Sequence, residues 1–238
     1  MTSKGKPRLV VLSGAGMSAE SGLMTFRDAG GLWEGHDVNE VATPEGWLRN
    51  MDLVLDFYNQ RRRSLLEVHP NAGHRALVRL EEMYSVTVIT QNVDDLHERA
   101  GSSRVLHLHG ELLKARSTRY PDLVYPWNRD IIPGDVCERG AQLRPHIVWF
   151  GEAVPMIEEA ARQVAMADIA CIIGTSMQVY PAAGLIQYAT ESCEIFYVDP
   201  NPQISFELSY RPNLRILREK AGTGVPPLVE KILSAMSN

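Results

Sequence analysis

Leu9-Val-Val-Leu-Ser-Gly14-Ala-Gly16-Met-Ser-Ala19 is a short apolar run that passes directly into a glycine-rich turn. Leu9 to Leu12 is too short for a buried helix and carries β-branched residues, so it reads as a buried strand. Gly14, Gly16 and Ala19 then form the pattern G-x-G-x-x-A. That pattern supplies a tight turn, bare backbone beside a pyrophosphate, and a small residue where a following helix meets the strand. The helix N-terminus would point its N–H groups at phosphate. Glycines in a strand-to-helix turn that binds nothing look the same, so the motif is weak by itself. The lysine of a Walker A loop is missing, which speaks against an ATPase.

Working outward, similar apolar runs occur at Val86 to Ile89, Val105 to Leu108, Ile147 to Phe150, Ile169 to Ile173 and Ile195 to Val198. Helical patterns lie between them: Pro44 to Leu66 with Thr43 as N-cap, Ala72 to Met83, Ile157 to Ala165 and Ala182 to Ala189, with Pro227 to Met236 closing the chain. Strands alternating with helices predict an α/β fold, a doubly wound parallel sheet covered on both faces. Glu111 to Pro145 is proline-rich and lacks a sustained period, which predicts a small inserted module. Gly22 to Val41 is irregular and glycine-rich and reads as a ligand-covering loop.

The 238 residues carry 24 Lys plus Arg against 29 Asp plus Glu, a net charge of −5, with 45% hydrophobic and 22% charged residues. That balance describes a globular protein and excludes disordered and fibrous classes. It also lacks the overall positive field of non-specific nucleic-acid binders, although Arg61, Arg62 and Arg63 form a local basic patch. No apolar run approaches the ~20 residues that span a bilayer, and the N-terminus has no convincing signal peptide. Cys137, Cys171 and Cys193 include no CxxC pair, which argues against a disulfide framework and a four-cysteine metal site. A reducing cytoplasm is the expected compartment, and a monomer the expected state, since no coiled-coil seam appears.

Several strand ends are polar. Thr90-Gln91-Asn92-Val93-Asp94 follows one strand and His107-Leu108-His109-Gly110 ends another. Amides and a carboxylate there can hold a carboxamide or a sugar, and an imidazole beside them can act as a general base. Strand alternation places His107 and His109 on one face and Leu108 on the other. Gly174-Thr175-Ser176 offers backbone donors and hydroxyls at a further strand end, or a plain turn. Asp199 ends the last of these strands, where it suits ribose hydroxyls and equally suits the start of the turn Asp199-Pro200-Asn201-Pro202. Single histidines are more often structural, which is the reading for His36, His69, His74 and His97.

GAGMSAESGLMTFR (14–27), TQNVDDLHERAG (90–101), LHLHGEL (106–112), PHIVWFGE (145–152) and GTSMQVYPAAG (174–184), in this order and spacing, resemble the sirtuins, the NAD-dependent protein-lysine deacylases. The resemblance runs from Leu9 to the C-terminal helix. It implies a Rossmann-like NAD-binding domain over 1–110 and 146–238, a small module over 111–145, and a cofactor loop with a helical insertion over 22–66. NAD and an acyl-lysine protein or peptide would meet in the cleft between domain and module. Carried over by position, Gly14, Ala15, Gly16, Ser18 and Ala19 would hold the NAD phosphates, and Thr25, Phe26 and Arg27 belong to the cofactor loop. Gln91, Asn92 and Asp94 would line the nicotinamide and ribose pocket. His109 matches the family's general base, while Val148, Phe150 and Gly151 match the strand that receives the peptide. Gly174, Thr175, Ser176, Asp199 and Asn201 would hold the adenosine half, with Asp199 standing where the family usually has asparagine.

The implied reaction starts with the acyl oxygen attacking the ribose carbon as nicotinamide leaves, and His109 then deprotonates a ribose hydroxyl. Nicotinamide, free lysine and O-acyl-ADP-ribose result. Tyr58 and Arg61 lie three apart on a helix, so both project from one face, and a phenol beside a guanidinium can receive a carboxylate. A solvated basic face is the plain alternative. This Tyr-x-x-Arg sits where the class III sirtuins carry theirs, which implies removal of succinyl, malonyl or glutaryl groups as well as acetyl. Most sirtuins hold a structural zinc with two CxxC pairs in the small module. Here only Cys137 remains, and one thiolate cannot make a tetrahedral sulfur site, so no zinc is expected. Apolar contacts from Tyr120, Leu123, Tyr125, Trp127 and Ile131 are expected to hold the module instead. Other readings are an NAD hydrolase or ADP-ribosyltransferase, which Val148-Trp-Phe-Gly151 speaks against, and an NAD or ADP-ribose sensor, which would need no His109.

Overall fold

The computed structural model describes residues 5–23 and 35–236. Six parallel strands form the main sheet: β1 (Arg8–Ser13), β2 (Ser85–Thr90), β3 (Val105–His107), β7 (Ile169–Ile173), β8 (Glu194–Val198) and β9 (Leu214–Leu217). Their spatial order is β3-β2-β1-β7-β8-β9. Chain order therefore runs to one side of β1 and then resumes on the other, placing the reversal between β1 and β7.

Alternation along β1 separates the two faces. Val10 and Leu12 join Ile172, Ile195 and Tyr197 under α6 (Ile157–Ala165) and the 3-10 helix Ala182–Tyr188. Leu9 and Val11 join Cys171, Ile173, Phe196 and Val198 against α4 (Ala72–Arg79) and α8 (Ala221–Met236). Strands apolar on both faces require such double cover, as the sequence predicts.

Helix limits differ from the sequence reading in several places, among them the end of α4 at Arg79, where a 3-10 turn Leu80–Glu82 follows. Pro44 to Leu66 divides into α2 (Pro44–Arg49) and α3 (Met51–Glu67), because Asn50 leaves the helical region and caps α3 through the Leu53 amide, 3.1 Å away. Thr43 caps α2 through the Gly46 amide, 3.0 Å away. The last helix starts at Ala221, six residues before the proline that reads as its start, and contains Pro226 and Pro227. Directly after β1 the described residues form no long helix; Ala15–Met17 and Ala19–Ser21 are single 3-10 turns.

A second sheet of order β5-β4-β6 is antiparallel: β4 (Gly110–Ser117), β5 (Val124–Pro126) and β6 (Leu143–Ile147). The segment without a visible period is thus built around a small antiparallel sheet with β4 at its centre. The run Ile147 to Phe150 is not itself a strand, since β6 ends at Ile147. Ala115, Ile131, Cys137, Ala141 and Leu143 form its core with Leu55 of α3, and Tyr120, Leu123, Tyr125 and Trp127 pack around them. These are the apolar side chains that the sequence analysis expects to hold the module.

Candidate functional site

All strands of the main sheet are parallel, so their carboxyl ends share one edge. The loop after β1 carries Gly14, Ala15, Gly16, Ser18 and Ala19, and Gln91, Asn92 and Asp94 follow β2. His109 lies two residues beyond β3, and Gly174, Thr175 and Ser176 follow β7. Asp199 and Asn201 follow β8, two strands from β1. Thr25, Phe26 and Arg27 lie outside the described residues.

At the β1/β7 reversal the two strand-end loops lie backbone to backbone. The Gly16 amide donates to the Gly174 carbonyl at 2.8 Å and the Gly14 amide to that of Ile173 at 3.0 Å. A Cβ on Gly16 would come within 2.8 Å of Gly174 Cα, and Gly174 itself has φ +60 with Met17 N 2.2 Å from any Cβ it carried. These glycines therefore allow the loops to meet over β1. The amides of Met17 and Ser18 are also bonded within the loop, to the Gly14 and Ala15 carbonyls. That corrects the sequence reading of a helix N-terminus aiming free amides at phosphate. The glycine-rich backbone still lies at the switch point, where ligands of doubly wound sheets bind.

Polar side chains tie the neighbouring loops together. Gln91 donates to Thr175 Oγ1 at 3.0 Å, bridging the ends of β2 and β7 across β1. Asn92 donates to the Gly14 carbonyl at 3.0 Å and to Ser18 Oγ at 3.2 Å, and Ser18 donates to Asp94 Oδ2 at 2.8 Å. Burial raises the Asp94 carboxyl pKa, opposed by the Ser18 hydroxyl and the Leu96 amide. Asp199 Oδ1 takes the Asn201 amide at 2.8 Å, which is the turn-forming contact its sequence also suits.

His109 Nδ1 lies 3.0 Å from the Gln91 carbonyl and His107 Nδ1 lies 3.1 Å from that of Asn92. The two imidazoles thus turn to the same loop, while Leu108 enters the core. A carbonyl only accepts, so Nδ1 of His109 carries the proton and Nε2 is the basic nitrogen of the neutral ring. Burial lowers the His109 pKa, opposed by the Gln91 bond. Burial also pulls His107 down, but Glu98, 2.7 Å from its Nε2, together with Glu111 and the Asn92 carbonyl leaves His107 raised. His97 is structural, its ring 3.0 Å from Ser13 Oγ at the end of β1.

The segment after β6 adjoins this cluster. The Val148 amide donates to the His109 carbonyl at 2.9 Å and the Phe150 amide to that of Ala42 at 3.0 Å; Gly151 follows in the turn with φ +87. Phe150 is 46% exposed whereas Trp149 is buried. The indole Nε1 of Trp149 donates to the Tyr58 hydroxyl at 3.0 Å. Tyr58 is fully buried on α3, and burial raises its pKa, opposed by Trp149 and the nearby Arg61 charge. The Arg61 guanidinium lies 3.2 Å from the centre of the Phe57 ring and donates to the Phe57 carbonyl at 2.8 Å. Arg62 is buried on Asn59 and the Leu112 carbonyl, and Arg63 pairs with Asp130 at the surface, so the three consecutive arginines do not form one basic face. Sequence reasoning passed over Trp149. Its signal was parity: in an extended segment residue 149 points opposite to 148 and 150, and a buried indole N–H needs an acceptor.

Cys137 belongs to the small module, while Cys171 and Cys193 belong to opposite faces of the main sheet. Among the described residues no group of three or more His, Cys, Asp or Glu is placed to hold a metal, and no helix is long and apolar enough to cross a membrane.

Strand-end loops that meet at a topological switch point, with a histidine of lowered pKa beside amides and a carboxylate, are the arrangement of nucleotide-binding α/β enzymes. The Sir2 family model matches residues 14–181, and the chain belongs to that family. It is 56% identical over 229 residues to the NAD-dependent protein deacylase of Helicobacter pylori strain J99, covering 96% of this chain and 97% of that one. Identity to the NAD-dependent protein deacylase of Bacteroides thetaiotaomicron is 53% over 233 residues, covering 95% and 98%. A mutant Sir2 homologue solved with ADP-ribose superposes with a TM-score of 0.88 at 36% identity, covering 98% of this chain and 94% of that one.

Proposed function

We propose that this Sir2-family chain removes succinyl and malonyl groups, as well as acetyl groups, from protein lysines. NAD-dependent protein deacylation is the activity that its family membership and its deacylase relatives support. Acyl-lysine proteins are its substrates; a monomer working in the cytoplasm, with no nucleic-acid or membrane partner, completes the reading.

NAD, when bound, supplies the ribose carbon that accepts the acyl oxygen and the nicotinamide that leaves. The chain's own residues bind, orient and move protons. Gly14, Ala15, Gly16, Ser18 and Ala19 receive the phosphates, with Thr25, Phe26 and Arg27 from the cofactor loop. Gly174, Thr175, Ser176, Asp199 and Asn201 receive the adenosine half. Gln91, Asn92 and Asp94 orient the nicotinamide and its ribose, held by the bonds that already join them to Gly14, Ser18 and Thr175. His109, neutral with Nε2 basic, takes the hydroxyl proton. Val148, Phe150 and Gly151 receive the peptide and the acyl-lysine stem.

The acyl preference rests on Tyr58 and Arg61. They lie one turn apart on α3, behind Trp149 of the peptide-receiving segment, and Arg61 is close enough for its charge to act on the phenol. A carboxylate there would meet one hydroxyl and one guanidinium away from water, where charge-assisted hydrogen bonds are strong. Tyr58 has no exposed surface, so the pocket wall must shift outward to admit the acyl group. The test is kcat/KM for one peptide carrying acetyl-lysine or succinyl-lysine, with NAD. Faster succinyl turnover supports the reading, and turnover of acetyl alone removes it.

A further inference from the structure

Trp149 is held from three sides. Its ring stacks under the Arg144 guanidinium, 3.3 Å from the ring centre, and its backbone N–H donates to Glu152 Oε2 at 2.8 Å. Trp47 packs on it with ring centres 5.8 Å apart. Arg144 and Glu152 are themselves joined by contacts of 2.8 and 3.1 Å, and Arg116 adds two of 3.0 Å to the same carboxylate. Arg144, Glu152 and Trp149 therefore close a ring of contacts in which each member fixes the other two. This is a costly arrangement for two partly buried charges, and it leaves the indole one orientation.

That orientation places Nε1–H on the Tyr58 hydroxyl. An indole N–H can only donate, so the phenol oxygen accepts here and its own proton is directed elsewhere. Accepting one hydrogen bond also polarises a hydroxyl and makes it a better donor in a low-dielectric site. A carboxylate needs a donor, so the direction of this bond suits an anionic acyl group and does nothing for an acetyl methyl. We propose that Trp149 is a positioning residue for acyl specificity, which acts by fixing the Tyr58 hydroxyl as a donor toward the distal carboxylate of the substrate. The proposal rests on the carboxylate-receptor reading above.

The experiment compares the whole enzyme with Trp149→Phe, Tyr58→Phe and the double variant, measuring kcat and KM for acetyl-lysine and succinyl-lysine forms of one peptide. Trp149→Phe keeps an aromatic ring for Arg144 to stack on and removes the donor along with part of the ring volume, a loss that bears on both acyl substrates alike. Its ratio of succinyl to acetyl kcat/KM falls roughly tenfold, through the succinyl KM, because a hydrogen bond to a charged group is weakened. In the double variant the ratio falls no further than in Tyr58→Phe, because the indole acts through the phenol. An unchanged ratio in Trp149→Phe, or losses that add in the double variant, overturns the positioning role. If Tyr58→Phe also leaves the ratio unchanged, the carboxylate reading fails with it; if Tyr58→Phe lowers it and Trp149→Phe does not, only the positioning role fails. Should Trp149→Phe lose all turnover, Trp149→His restores a ring N–H. Recovery of the succinyl preference then supports the proposal, and recovery of acetyl turnover alone overturns it.

Discussion

The Gln91 carbonyl lies 3.0 Å from Nδ1 of His109 and so decides which nitrogen of that ring carries the proton and which stays basic. Burial holds the imidazole pKa below its ordinary 6.5. Catalysis that needs the neutral ring is present above the folded pKa and lost as pH falls through it. The acid limb of kcat/KM therefore lies below pH 6.5, and a limb above 6.5 contradicts the assignment. His109→Tyr lowers turnover by roughly 10²–10⁴-fold, the usual contribution of a general base, while NAD binding measured by calorimetry persists.

Arg61→Met keeps an unbranched stem over Phe57 and removes the charge. Its effect on succinyl-lysine kcat/KM exceeds that on acetyl-lysine by roughly tenfold or more, the value of a charge-assisted hydrogen bond. Equal losses for both acyl groups would assign Arg61 to the helix surface.

His74 and His97 are buried with ring centres 4.8 Å apart, and burial lowers both, His74 to about 4. Their depressed folded values mean that the unfolded chain takes up protons first as pH falls past 6.5. Stability is therefore fully present above 6.5 and declines below it, by about 1.4 kcal/mol per pH unit for each ring until that ring protonates in the folded state. Urea unfolding at pH 7.5 and 5.5 measures the decline, and His74→Gln makes it shallower.

Metal removal is expected to change nothing. Dialysis against a chelator leaves the melting temperature and deacylase turnover unaltered, because the small module is held by side chains such as Ile131, Leu143 and Leu55 rather than by thiolates. Stoichiometric zinc in the purified protein, or a lowered melting temperature after chelation, would contradict this.

The main sheet was legible because its strands are buried on both faces and read as unbroken apolar runs. The strands that were not legible lie at edges or in the module. Leu214–Leu217 has Arg215 and Ile216 exposed at the sheet edge, so no apolar run marks it. β4 alternates buried and half-buried positions, with Glu111, Lys114 and Arg116 in its sequence concealing the period. β6 contains Arg144, buried only because Glu152 pairs with it eight residues later, and that long-range compensation is not visible in a local window. In the site, residues at the ends of apolar runs could be found from position alone. For Trp149 parity marks only a buried indole; its partner, 91 positions away on α3, is not visible in the sequence.

His109 belongs to neither sheet: β3 ends at His107 and β4 begins at Gly110. Gly110, at φ +83, would place a Cβ 2.1 Å from the His146 carbonyl, so the joint admits no side chain and the small sheet starts hard against the base. His109 is in effect mounted on the pin between two leaves, its imidazole tethered to the larger by the Gln91 carbonyl and its backbone carbonyl to the smaller by the Val148 amide. The residue that carries this imidazole is thus anchored to both leaves at once, through its side chain to one and through its main chain to the other.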